Sequence, residues 1–159
     1  LRRAWPSAPQ QALNMAQPDA ASLIEEHISE LVEVWVKAVR SDQTIQSDSD
    51  LSEGGLIDHV PILLEEICSV LRSGERPCAE NTHEARVHSY TRFRQGYRAR
   101  DLVRETSLLR IIILDHLGKN LINGSNHSSM ELFINASRTI NLYIDEELRY
   151  AVSIYMESK

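Results

Sequence analysis

Five apolar residues, Ile57, Val60, Leu64, Ile67 and Leu71, follow one another at steps of three, four, three and four. That spacing lines one side of an α-helix and scatters over both faces of a strand, so the segment reads as a helix with one buried stripe. Its near-heptad rhythm suits helices packed at a shallow crossing angle. The rhythm recurs along the chain. Ile24, Ile28, Leu31, Trp35 and Ala38 mark a first helix over about 19–40, with Asp19 as its N-cap and Glu25 and Glu26 near its positive end. The second helix runs over about 55–73, with Pro61 either in its first turn or at a kink and Ser73-Gly74 at its end. A third covers about 79–96, where Arg86, Tyr90, Phe93 and Tyr97 form the best stripe and Gly96 reads as the terminator. A fourth, about 99–122, carries Leu102, Leu109, Ile112, Ile113 and Leu117 and stops at Asn123-Gly124. A fifth, about 128–157, carries Phe133, Ile140, Ile144, Leu148, Ala151 and Tyr155. The fold class expected is all-α, a four- to five-helix bundle with a long C-terminal helix.

With 159 residues the chain has enough surface to bury for one domain with its own core. Residues 1–18 hold Pro6, Pro9 and Pro18 among Gln, Ala and Ser and read as a flexible tail or linker, leaving 19–159 as a single helical domain. Cys68 and Cys78 lack the close spacing of a redox pair, which suits two reduced thiols and a cytoplasmic location. No apolar run approaches the roughly 18 residues of a membrane span, so no membrane contact is expected. The chain opens on Leu1, and its last stripe is still in phase at Tyr155. Both ends point to a piece of a larger protein whose final helix continues.

Catalytic patterns are missing. The only Glu-x-x-His, Glu80 to His83, has no second copy to face it, so no metal site is expected. There is no Gly-x-Ser-x-Gly elbow, and Gly54-Gly55 is not followed by a phosphate-binding Lys. His116, on the apolar stripe of the fourth helix, is the best haem ligand on offer, and His83 and His88 are the candidate phosphoacceptors of a phosphotransfer bundle. The expectation is a domain with no catalytic residues, no cofactor and no metal.

Charge is more informative. The net charge of −6 argues against a general nucleic-acid binder. It conceals a polarised chain: residues 19–84 hold 15 acids against four bases, whereas 85–110 hold seven arginines against Asp101 and Glu105. Arg86, Arg94, Arg98, Arg100 and Arg104 therefore form a candidate surface for an acidic partner or a small anionic ligand; the other reading is a solvated face paired with the acidic helices. Within this stretch His88 and Arg92 share one helical face, and Glu105 shares a stripe with Leu102 and Leu109. An inward carboxylate needs a partner. The spacing predicts a buried His88–Arg92–Glu105 cluster that locks the third and fourth helices across the Gly96–Ala99 turn.

The string His88-x-x-x-Arg92-x-x-Gln95-Gly96-Tyr97, followed by Leu102-x-x-Glu105-x-x-Leu108-Leu109-Arg110, resembles the N-terminal domain of RsbRD-type stressosome co-antagonists, a domain that also heads many bacterial sensor histidine kinases. Asp58-His59-Val60-Pro61-x-Leu63-Leu64 and Trp35 fit the same pattern, and the likeness covers about residues 20–157. Ser89 and Thr106 depart from it. The resemblance implies a structural or signalling cluster of His88, Arg92, Gly96, Glu105 and Arg110 in a sensory or interaction domain without catalysis of its own. It implies a bacterial cytoplasmic signalling protein, foremost a sensor histidine kinase of a two-component system, and a role in stress response. A homodimer through the C-terminal helix and a downstream kinase or regulatory domain in the same chain are the partners expected. A histidine phosphotransfer or tetrapyrrole-binding helical domain, and a purely structural oligomerisation module, stand as alternatives.

Overall fold

The computed structural model describes residues 19–122 and 127–158. Seven α-helices follow one another among them: α1 (Ala20–Glu25), α2 (Ile28–Ser41), α3 (Glu53–Ile57), α4 (Val60–Ser73), α5 (His83–Arg94), α6 (Ala99–Leu121) and α7 (His127–Glu157). Two 3₁₀ turns, Ser47–Asp50 and Ala79–Asn81, complete the list, and no strand occurs among the described residues. The fold is all-α, and α7, at 31 residues, is the long C-terminal helix. The tail expected over 1–18 and the Asn123-Gly124 terminator lie outside the described residues.

Two of the five helices read from the sequence are interrupted, each for a local reason. The first breaks at Glu26–His27 into α1 and α2. The His27 amide turns to Ile24 O at 3.0 Å instead of continuing the α-helical ladder. The Leu23 carbonyl is satisfied by two imidazoles instead, His27 Nδ1 at 3.0 Å and His116 Nε2 at 2.9 Å. The second breaks at Asp58, which adopts φ 33° between α3 and α4. Pro61 then falls in the first turn of α4, where its missing N–H costs nothing. The Asp19 side chain caps α1 by accepting from Ser22 N at 2.7 Å, and Gly74 closes α4 in the left-handed conformation.

The main core is built from Ile24, Trp35, Leu56, Leu63, Leu64, Ile67, Leu109, Ile113, Leu117, Ile140 and Ile144. α6 and α7 lie antiparallel, since Gly118 meets Phe133 at one end and Arg110 meets Asp145 further along. α5 packs on α7, α1 on α4, and α2 on α6. The third helix corrects its expected stripe. Tyr90 is exposed, and the buried face of α5 is Ala85, His88, Ser89 and Arg92. A helix with so polar an inner face is buried because the groups opposite it are charged as well.

Candidate functional site

His88 and Arg92 project from one side of α5 into the space between α6 and α7. Both are essentially inaccessible, at 1 % and 0 % exposure. The turn after α5 brings α6 within reach. Gly96 sits at φ 78°, its amide bonding Phe93 O and the Tyr97 amide bonding Arg92 O, which is a Schellman closure that needs the left-handed residue. A Cβ at Gly96 would meet nothing within 4 Å, so only backbone strain penalises a side chain there. Gly96→Ala is therefore expected to cost about 1–2 kcal/mol in urea denaturation, and Gly96→Asn less.

Arg92 uses its whole guanidinium. Nε donates to Glu105 Oε1 at 2.6 Å, Nη1 to Gly55 O at 3.1 Å and Gln95 Oε1 at 2.8 Å, and Nη2 to Leu56 O at 2.5 Å. The two carbonyls belong to the end of α3, whose last turn lacks helical donors, so one arginine caps α3 and neutralises α6 together. The Tyr97 ring lies under the guanidinium at 5.1 Å. Trp35 Nε1 donates to the Glu105 backbone carbonyl at 3.0 Å, which ties α2 to the same turn of α6.

His88 spans two carboxylates. Nδ1 donates to Glu147 Oε1 on α7 at 2.5 Å, and Nε2 lies 3.1 Å from Glu105 Oε1 as an ion contact without hydrogen-bond alignment. Burial works against charge on the imidazole, but the two carboxylates outweigh it and push His88 up to about 9. Burial likewise works against the Glu105 charge, yet His88 and Arg92 hold its carboxyl below the usual range. Two acids and two bases thus balance in a closed site, with Tyr97 at its edge held neutral by burial and by Glu105. With both ring nitrogens turned to carboxylates, His88 is not open to a phosphoryl donor; His83 is exposed on the surface, and His116 spends Nε2 on Leu23 O.

The site brings together His88, Arg92 and Glu105, with Gly96 shaping the turn between them. Arg110 lies apart, 3.7 Å from Asp145 of α7. The other arginines divide. Arg86 stacks over Tyr150 at 5.2 Å. Arg98 and Arg100 both approach Gln46 Oε1, at 2.9 and 3.5 Å, and Arg104 pairs with Asp42 at 2.6 Å. Arg100 and Arg104 line a groove of about 380 Å³ with Thr44, Gln46 and Asp101. Asp101 holds the loop behind it by accepting from Gln46 N, Ser47 N and Ser47 Oγ. Arg94 is exposed on α5, outside this groove.

Glu147 is the member that sequence reasoning missed. A signal was there: Ile140, Ile144, Glu147 and Ala151 share one stripe at steps of four, three and four, the same anomaly that singled out Glu105. Among the described residues no group of three or more His, Cys, Asp or Glu is placed to hold a metal ion, and no helix is long and apolar enough to cross a membrane.

Residues 29–159 match the model of the family described as the RsbT co-antagonist protein rsbRD N-terminal domain. No curated protein and no solved structure matches the chain.

Proposed function

Because the chain belongs to the family of RsbT co-antagonist protein RsbRD N-terminal domains, we propose that it is the regulatory input domain of a bacterial cytoplasmic stress-signalling protein, with a sensor histidine kinase as the parent. Its work is regulatory rather than catalytic. A ligand or partner biases two packings of the bundle, and α7 passes the bias to a downstream kinase or regulatory domain. Coupling of this kind is typically worth about 1–3 kcal/mol and requires different affinities for the two packings. The observation that supports the reading best is the Glu147 contact, through which the longest helix shares a charge cluster with α5 and α6. A small anionic ligand or acidic partner would meet the arginines of α6 beside Gln46. Dimerisation through α7 is favoured by Val152 and Met156, exposed one turn apart near its end.

A helical relay makes a phase-sensitive prediction for the parent protein. Each residue inserted after Lys159 rotates whatever follows by about 100°. Inserting two residues is expected to change the downstream output severalfold, whereas inserting seven restores the phase and the output. Equal output across an insertion series of one to seven residues would rule out transmission through α7.

A further inference from the structure

Glu105 and Glu147 are both buried carboxylates, but they are not equally supplied. Glu105 keeps Arg92 whatever His88 does, and its backbone is held by Trp35. Among the described residues the Glu147 carboxylate has one donor, His88 Nδ1; the Oε2 atoms of both carboxylates have no hydrogen-bond partner, so the difference between them is the Arg92 donor that Glu105 alone receives. We infer that His88 is a proton-held latch, an imidazolium that pins α7 to the α5–α6 pair through Glu147 and releases the C-terminal half of α7 when it loses its proton.

The charges around the ring decide the direction. From α5 come Arg92 and Ser89, from α6 Glu105, from α7 Glu147, and from the turn after α5 Tyr97. Tyr143 and Tyr155 of α7 lie within electrostatic reach of Glu147 and Glu105, and both phenols are pushed upward chiefly by burial. α4 reaches the site at one remove, through Glu66, which accepts from Tyr143 at 2.7 Å. α3 and α2 present only the Gly55 and Leu56 carbonyls and the Trp35 indole. With His88 protonated the four charged groups cancel. Without that proton one negative charge is left over in a closed site: the remaining ring proton can stay on Nδ1 facing Glu147, but the bond loses its charge assistance and Nε2 turns a lone pair toward Glu105.

Linkage gives the pH window. His88 is raised in the folded chain to about 9, against about 6.5 for a solvated imidazole. Its contribution is therefore complete below about pH 6.5 and is lost as the pH rises through about 9. The latch supplies a control for the proposed role of α7 and rests on that reading only for its biological use. Hydrogen exchange in the isolated chain reads the latch, and the insertion series reads transmission, so either can fail without the other.

The test is hydrogen exchange of the 159-residue chain between pH 7 and 10, corrected for the intrinsic rate, beside NMR of the His88 ring. From about pH 7 up to the ring midpoint, protection over residues 143–157 is expected to fall by up to about tenfold per pH unit and then to level off, while α4 and α6 keep theirs. Glu147→Gln keeps an acceptor but removes the anion, so the ring midpoint should drop by about one to three units and carry the loss of protection with it. Protection of α7 that is constant to pH 10, that falls equally in every helix, or whose midpoint ignores Glu147→Gln would overturn the latch. If that variant does not fold, the wild-type ring decides alone: a midpoint near 9 supports the latch, and titration at or below pH 7 removes it.

Discussion

Glu105→Ala will cost the fold about 3–5 kcal/mol, because it strands two buried cations at once. Among the described residues Arg92 loses the one carboxylate it touches, at 2.6 Å, and His88 loses one of its two. Neither cation can turn to water, since His88 and Arg92 lie at 1 % and 0 % exposure. For a domain of this size the loss corresponds to a melting temperature lower by roughly 10 °C. Glu105→Gln, which keeps an oxygen for Arg92 Nε but removes the charge, should lie between the wild type and Glu105→Ala. Thermal unfolding of the three proteins is the measurement. An unchanged melting temperature in Glu105→Ala would show that the cations find other partners and that the cluster is not a lock.

Trp35→Ala is expected to be as damaging for a different reason. The indole is fully buried in the main core, and truncation to Ala empties most of that volume at a cost of about 3–5 kcal/mol. Trp35→Phe separates packing from polarity. It keeps most of the apolar contact and removes the indole N–H from Glu105 O, so about 1–2 kcal/mol is expected. Urea denaturation of both variants checks the order. If Trp35→Phe were as unstable as Trp35→Ala, the hydrogen bond to α6 rather than the packing would be the larger contribution.

The parts of this fold that could be read from sequence were those where local periodicity and tertiary packing agree. Val60 to Leu71 announced a helix and Gly74 its closure, Gly96 marked the end of α5, and the inward phase of Glu105 pointed to a buried partner in the helix before it. What escaped were features set by contacts distant in sequence. The break at His27 rests only in part on the His27 ring; His116, 89 residues further on, shares the Leu23 carbonyl with it. The expected stripe of α5 fails at Tyr90, which faces out; the face that goes in is the one marked by the expected His88–Arg92–Glu105 cluster. Glu147 was legible by the logic applied to Glu105, but its neighbours Asp145 and Glu146 made it look like part of a solvated acidic run. The basic stretch divides for the same reason: Arg92 is consumed by the interior, while Arg104 and Arg110 meet acids from α2's end and from α7.

The length of α7 gives the position of Glu147 a geometric meaning. At 1.5 Å per residue the helix is a rod of about 46 Å. Glu147 divides it into arms of about 30 Å toward His127 and about 15 Å toward Glu157. A rigid tilt about that fulcrum moves the two ends in opposite senses, the C-terminal end by about half as much as the N-terminal one. Under the proposed relay, a swing of about 4 Å beside α6 would emerge as about 2 Å at the far end, the geometry of a reducing lever.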